Sequence, residues 1–390
     1  MKIAFWISLF IIFYTYVGYG ILLFLLVRIK RLVVPPKKII SNKNFTPTVT
    51  LLIAAYNEES YIDEKVKNCF ELDYPFDKLQ IAFVTDGSND STPEKINKYN
   101  NVALYHKPER GGKMAAIKRV MPMIESEIVV FTDANTFLNP EAISNLVKHY
   151  QNPKVGAVAG EKKIQVEKHA DASSAGEGFY WKYESALKKW DYELFSNVGA
   201  AGELFSIRRQ LYQPVETDTI IDDHMIAMRI AEKGYVIAYE PAAFALETAS
   251  ANTKEEIKRK IRIAAGGMQS ILRLKKSANP FHNPLLTFQY FSHRVLRWTI
   301  TPFLLIVVFI LNGLILIKDP SPLYQLLFGG QVLFYLLSFA GYIFEQRNIR
   351  IKAFFIPYYF CLMNYAVIAG IFRYFRKNQS AAWEKSKRKV

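Results

Sequence analysis

Carboxylate and amide side chains recur three times before residue 136, each time at the end of a short apolar run. Ala54-Ala55-Tyr56-Asn57-Glu58-Glu59 follows the run at 49–54, Thr85-Asp86-Gly87-Ser88-Asn89-Asp90 the run at 79–84, and Thr132-Asp133-Ala134-Asn135 the run at 128–131. Any one of these clusters could do no more than cap the helix after it. Three at equivalent places, one an Asp-Gly-Ser-x-Asp cluster, point to a site. An acidic rim repels phosphate unless something compensates. A divalent cation on Asp133 would bridge phosphate oxygens as a Lewis acid. Gly111-Gly112-Lys113 offers backbone donors and one cation at a helix N-terminus. Further on, Ile220-Ile221-Asp222-Asp223-His224 places two carboxylates side by side. Like charges this close raise at least one pKa, which suits a general base taking a proton from a hydroxyl, although an N-cap pair would look the same. His224 reads as helix structure, not as a ligand.

The segments that must position these groups alternate in character. Apolar runs at 49–54, 79–84, 102–105 and 128–131 are separated by helical stretches at 60–69, 93–97 and 113–123. This alternation predicts an α/β domain with a mainly parallel sheet, whose ligands bind at the carboxyl ends of the strands. Residues 32–47, with Pro35, Pro36 and a Lys/Asn-rich stretch, read as a linker.

Uncharged runs at 3–27, 298–317, 321–344 and 353–372 are each long enough to cross a hydrocarbon core of about 30 Å as a helix. The first is longer than a signal-peptide core, lacks a small-x-small cleavage site and is followed by Arg28, Lys30 and Arg31, so an uncleaved anchor is expected. The net charge of +15 gathers beside these runs, at Lys37 and Lys38 and again at Arg373, Arg376 and Lys377. That placement suits anionic lipid headgroups and a cytoplasmic face, not nucleic acid. Cys69 and Cys361 are far apart and suggest neither a disulfide framework nor a zinc site.

Taken in order, strand-Tyr-Asn-Glu, Asp-Gly-Ser, Gly-Lys, Asp-x-Asn, acidic pair, basic helix and apolar spans, the chain resembles the membrane-bound family-2 glycosyltransferases of GT-A fold. The resemblance is to the group holding cellulose, hyaluronan and poly-N-acetylglucosamine synthases. It implies that Tyr56, Glu58 and Asp86 contact base and ribose, that Lys113 sits by the nucleotide, and that Asp133 opens the metal motif. Asn135 stands where that family usually has Asp, which leaves less charge for Mg2+ or Mn2+. Asp223 corresponds to the catalytic base, with Asp222 beside it. Gly199-Ala200-Ala201-Gly202-Glu203 resembles the loop that shapes the acceptor pocket. Upstream, Trp181, Tyr183 and Glu184 suit either sugar stacking or helix packing. Arg262 matches the Arg of a Gln-x-x-Arg-Trp motif and would hold the departing diphosphate. Arg259 and Ile263 replace the Gln and Trp, which puts processive polymerisation in question. The segment 373–390, with Trp383, loosely resembles a tail that closes over nucleotide.

The expected organisation is an anchor at 1–31, a catalytic domain at 48–250, interfacial helices at 251–298, a membrane cluster at 299–372 and a basic tail. The expected activity is inverting transfer of a hexose or N-acetylhexosamine from a UDP-sugar to a polysaccharide or glycolipid, at the cytoplasmic face of a bacterial-type inner membrane. Single transfer to a polyprenyl-phosphate carrier is the enzymatic alternative, and a degenerate sugar-nucleotide sensor or scaffold the non-enzymatic one. Topology contains a conflict. A cytoplasmic site and four full crossings place the basic tail outside, against the charge rule. Either 353–372 is re-entrant or the interfacial reading of 284–298 is wrong.

Overall fold

A computed structural model describes residues 1–35, 45–165, 172–248, 253–347, 349 and 351–377, without the side chains of 165 and 172–181. Trp383 and most of the linker lie outside the described residues, as does the side chain of Trp181. Eight strands form one sheet in the order β3-β2-β1-β4-β7-β6-β8-β5. They are β1 (Val49–Ala55), β2 (Leu79–Asp86), β3 (Val102–Lys107), β4 (Ile128–Asp133), β5 (Thr136–Leu138), β6 (Val155–Gln165), β7 (Phe205–Arg208) and β8 (Val236–Thr248). The first four pair in parallel, as does β6 with β8, while β7 runs antiparallel to both β4 and β6, and β5 to β8. Every residue of β1 is buried, as a strand covered on both faces requires.

The helices are α1 (Lys2–Val33, with a π-helical turn at Tyr14–Gly18), α2 (Ile62–Phe70), α3 (Thr92–Ile96), α4 (Lys113–Val120), α5 (Ala142–Val147), α6 (Ala172–Leu194), α7 (Asp222–Glu232), α8 (Thr253–Arg273), α9 (284–298), α10 (Thr301–Lys318), α11 (Pro322–Gln346) and α12 (Lys352–Phe375). Met114 and Ile117 of α4 and Met225 to Ile230 of α7 fill the core on one face of the sheet. Ile62 and Val66 of α2 and Ile143 and Leu146 of α5 fill the other. β1 continues outward to β2 on one side and β4 on the other, with connections that leave a crevice at their carboxyl ends. The acidic clusters sit there.

Among the described residues, four helices, α1, α10, α11 and α12, are long and apolar enough to cross a membrane. The first half of α1 packs along α10, with Lys2 paired to Asp319 at one end and Thr15 Oγ1 3.1 Å from Thr301 Oγ1 at the other. Its second half leaves the bundle and lies on α6. Tyr19 and Leu23 bury against Leu187, Gly20 abuts the Tyr183 ring, and Arg31 pairs bidentately with Glu193 at 2.5 and 2.7 Å. Tyr183 thus packs against the anchor, its hydroxyl donating to Tyr16 O.

Helix α9 starts at Asn283, whose side chain accepts from Leu286 N, with Pro284 in the first turn. It carries His293 into a sealed ionic cluster. His293 Nδ1 lies 2.6 Å from Asp191, and its Nε2 lies 3.2 Å from Glu184. Arg297 completes Glu184, and Tyr19 of α1 donates to Asp191. Burial alone would raise the Glu184 carboxyl; Arg297 and then His293 outweigh it and hold the group well below the usual range. Replacing Arg297 with Met should cost about 3–5 kcal/mol, because Glu184 keeps its charge in a dry site with a poorer partner. Denaturant unfolding in detergent measures it, and a loss under about 1 kcal/mol would match a surface pair instead.

Candidate functional site

Each strand end delivers its side chain through a turn that the sequence makes possible. Past β2, Gly87 (φ +70°) lets the chain pass Arg110, since a Cβ there would meet the Arg110 backbone. Gly112 (φ +93°) precedes Lys113 at the start of α4. The Asp86 carboxylate ties the two segments together, its Oδ2 accepting from Gly111 N at 2.7 Å and Gly112 N at 2.5 Å. Arg110 stacks on Tyr56, 3.9 Å from the ring centroid, and its Nη1 donates to the Tyr56 hydroxyl at 2.8 Å. Ala55, Tyr56, Asp86, Arg110, Gly112 and Lys113 line one recess. Glu58 is buried beside it, its N–H donating to Thr92 Oγ1 at 2.8 Å.

Lys113 joins this recess to the second acidic group. Its Nζ is 3.0 Å from Asp133 Oδ1 and 3.4 Å from Asp222 Oδ2. Side chains from β4, α4 and the start of α7 therefore meet around one ammonium. Burial alone would lower the Lys113 pKa, but Asp133 and Asp222 outweigh it and raise it. Asp133 is itself raised, by burial, with Lys113 opposing. Asp223 is pushed up to about 7, by burial first and by Asp222 second. A carboxylate that binds a proton this readily is a competent base near neutral pH.

The 199–203 loop presses against the start of α7. A Cβ on Gly202 would stand 3.6 Å from Asp223 Oδ2, and one on Gly199 (φ +134°) would strike the His224 ring. His224 is packed against Tyr290 and Trp298. Burial, then Arg294, lowers it to about 3, so it is neutral. It is helix structure, as the sequence suggested.

Residues 50–214 match the family model for glycosyl transferase family 2. The chain carries a family-2 glycosyl transferase domain. A beta-monoglucosyldiacylglycerol synthase from Nostoc sp. is 30% identical over 200 residues, 47% of this chain and 41% of its own. A poly-beta-1,6-N-acetyl-D-glucosamine synthase from Staphylococcus aureus is 27% identical over 235 residues, 58% of this chain and 56% of its own. The match thus spans about half the length of these curated relatives. A mannosyltransferase from Pyrobaculum calidifontis, solved with GDP-Man and Mn2+, shares the fold over 96% of this chain and 100% of its own, at TM-score 0.72 and 23% identity. The α/β domain is of the GT-A type.

Around this centre lie residues whose ion pairing the sequence does not reveal. Glu203, directly after Gly202, pairs with Lys162 at 2.6 Å and with Arg259 of α8 at 2.7 Å, and both cations also meet Glu247. Burial would raise Glu203, but Lys162 and Arg259 hold it far below the usual range. Lys65 is buried beneath the turn after β4, its Nζ donating to Thr136 O at 2.5 Å, and burial lowers it to about 8. It props the Asp133–Asn135 turn from below. Arg110 was likewise not singled out. Arg262 is placed differently from the other candidates: its Nη2 donates to Ile220 O at 3.4 Å, and its Nε is buried without a hydrogen-bond partner. It reaches the backbone leading into Asp222, and Arg259 makes the ion pairs.

Among the described residues, no three His, Cys, Asp or Glu side chains cluster as a self-sufficient metal site. A cation delivered with a diphosphate needs only one or two protein ligands, the remainder being phosphate oxygens and water. Asp133 and Asn135, two residues apart and both half-buried at the end of β4, fit that donor set.

Proposed function

We propose that the transferase moves a hexose or N-acetylhexosamine from a UDP-sugar, with inversion, onto a growing polysaccharide or a glycolipid at the cytoplasmic face of the inner membrane. The observation that supports this reading is the single Lys113 ammonium shared by Asp133 and Asp222, which brings the start of α7 to the end of β4. The nucleoside would lie in the recess of Tyr56, Asp86 and Arg110, with Glu58 shaping the turn below. The diphosphate would lie toward Lys113 and Asp133. Mg2+ or Mn2+, held by Asp133 and Asn135, would neutralise the charge that develops on the leaving diphosphate. Asp223 takes the proton of the acceptor hydroxyl as that oxygen forms its bond to C1 and the C1–O bond to the diphosphate breaks. Arg262 orders the approach to the acidic pair, and Arg259 offsets Glu203 behind it.

The Mn2+ complex of the Pyrobaculum calidifontis mannosyltransferase supports the cation, and its GDP-Man widens the range of donors to be tried. A second reading, one sugar per lipid, has its own support: Ile263 stands where a stacking Trp would be, and one relative is named as a glucosyldiacylglycerol synthase. The test is a screen of UDP- and GDP-sugars for nucleoside diphosphate release by purified enzyme with lipid extract, with products read by mass. A UDP-sugar giving a ladder of masses supports chain extension, and one increment per lipid supports the second reading. No release from any nucleotide sugar would overturn both.

A further inference from the structure

We infer that α12 does not cross the bilayer: it lies in the membrane interface beside α8, at the catalytic-domain end of a bundle with only three crossings. The ends of that bundle are marked. Lys2 and Asp319 meet at the end remote from the catalytic domain, Thr15 and Thr301 at the near end. Along α12, the contacts begin at the near end and reach inward as far as Phe334 of α11, whose ring meets Phe360 beside Tyr335, a hydroxyl donor to Leu305 O one turn inside Thr301. Phe354 meets Phe344, Tyr358 packs on Gly341, and the Tyr359 hydroxyl donates to Glu256 of α8 at 3.1 Å. At mid-helix, Phe360 meets Tyr16 and Asn364 accepts from the Tyr16 hydroxyl. Tyr16 is the neighbour of Thr15, so the middle of α12 is level with the near end.

A crossing helix would descend from there. Fourteen residues separate Tyr16 from Lys2, about 21 Å of helix, and α12 has eleven residues left after Asn364, about 16 Å. Those residues turn to α8 instead. Gly370 packs directly on Ile261, Ala264 and Ala265, with no room for a Cβ. The stretch 359–370 therefore runs beside 256–264 in the same direction.

Helix α8 cannot lie in hydrocarbon. It carries Glu255, Glu256, Lys258, Arg259, Lys260 and Arg262, and Arg259 is bound to Glu203 of the catalytic domain. Its companion is held at the same depth. The side chains of α12 suit that place. Ile356, Tyr365, Phe372 and Phe375 are exposed, and Arg373, Arg376 and Lys377 end the helix. The topological conflict then disappears. With α1, α10 and α11 as the crossings, Arg28, Lys30 and Arg31 share a face with Arg373, Arg376 and Lys377. This inference does not depend on the donor or acceptor proposed above.

Single cysteines in a Cys361→Ala background test it, since Cys69 is buried in the domain core. Glu94→Cys reports the catalytic-domain face of sealed vesicles, Lys318→Cys the opposite face, and Lys377→Cys the end of α12. With a membrane-impermeant maleimide, Lys377→Cys should label on the same side as Glu94→Cys. Labelling together with Lys318→Cys would overturn the inference. A nitroxide on Tyr365→Cys should be several-fold more accessible to a water-soluble nickel chelate than one on Leu333→Cys in mid-α11. Equal depth would make α12 a fourth crossing.

Discussion

Asp223→Asn should lower kcat by about 10²–10⁴ while leaving donor affinity within a few-fold, because general-base removal touches the chemical step alone. The wild-type pH profile should carry the same residue's signature. Its carboxyl is pushed up to about 7 by burial and by Asp222, and only the deprotonated form can accept a proton. Thus kcat/KM should rise about tenfold per pH unit below about pH 7 and level off above it. In Asp223→Asn this limb should vanish. Stability should move the other way. A carboxyl whose folded pKa is raised favours the folded state in its protonated form, an advantage lost as pH rises from about 4 through 7. The variant, neutral throughout, should therefore melt above wild type at pH 8, with the gap closing below about pH 4. Such a trade is expected where a charge is kept in a costly place for chemistry. Equal turnover in the two proteins would remove the base assignment.

Asp133→Ala should abolish stimulation by Mn2+ and lower kcat by roughly 10²–10³, the scale for losing one preorganised electrostatic element. Lys113 is then left with Asp222, so the diphosphate would meet a cation without its metal. The informative comparison is Asn135→Asp, which adds a charged ligand beside Asp133. It should lower the Mn2+ concentration at half-maximal rate with little change in the ceiling. Titrating Mn2+ into all three proteins at saturating donor measures both effects. If Asp133→Ala keeps the wild-type metal response, the cation lies elsewhere or takes no part.

The half of the sheet that reads plainly from sequence is β1 to β4, because those strands hold short apolar runs and three of them, β1, β2 and β4, end in a polar cluster. The strands from β5 to β8 left no such pattern. β5 and β7 are short, and β8 is interrupted by register shifts against β6, so neither run length nor alternation picks them out. The acidic residues were visible as types, but their convergence was not. Lys113 and Asp222 are more than a hundred residues apart, and only the closing of α7 over the sheet brings them to 3.4 Å. Ion networks such as Lys162–Glu203–Arg259–Glu247 have no local signature, since each member satisfies a charge supplied by another segment. Glu184 illustrates this. Its sequence surroundings suited a sugar platform or helix packing, and a buried histidine on α9 settles it as packing. Helix α12 was read by length and hydropathy, which record that a helix can cross a membrane but not which neighbour it lies beside.

If Asp133 and Asp223 act on opposite sides of one anomeric carbon, the new glycosidic bond must have the configuration opposite to that of the donor. Proton NMR of product formed from an α-linked nucleotide sugar, recorded on the first-formed linkage, reads this from the anomeric coupling constant. A β-linkage is the expected result. An α-linkage would require a different placement of the nucleophile and would contradict the shared cleft on which the mechanism rests.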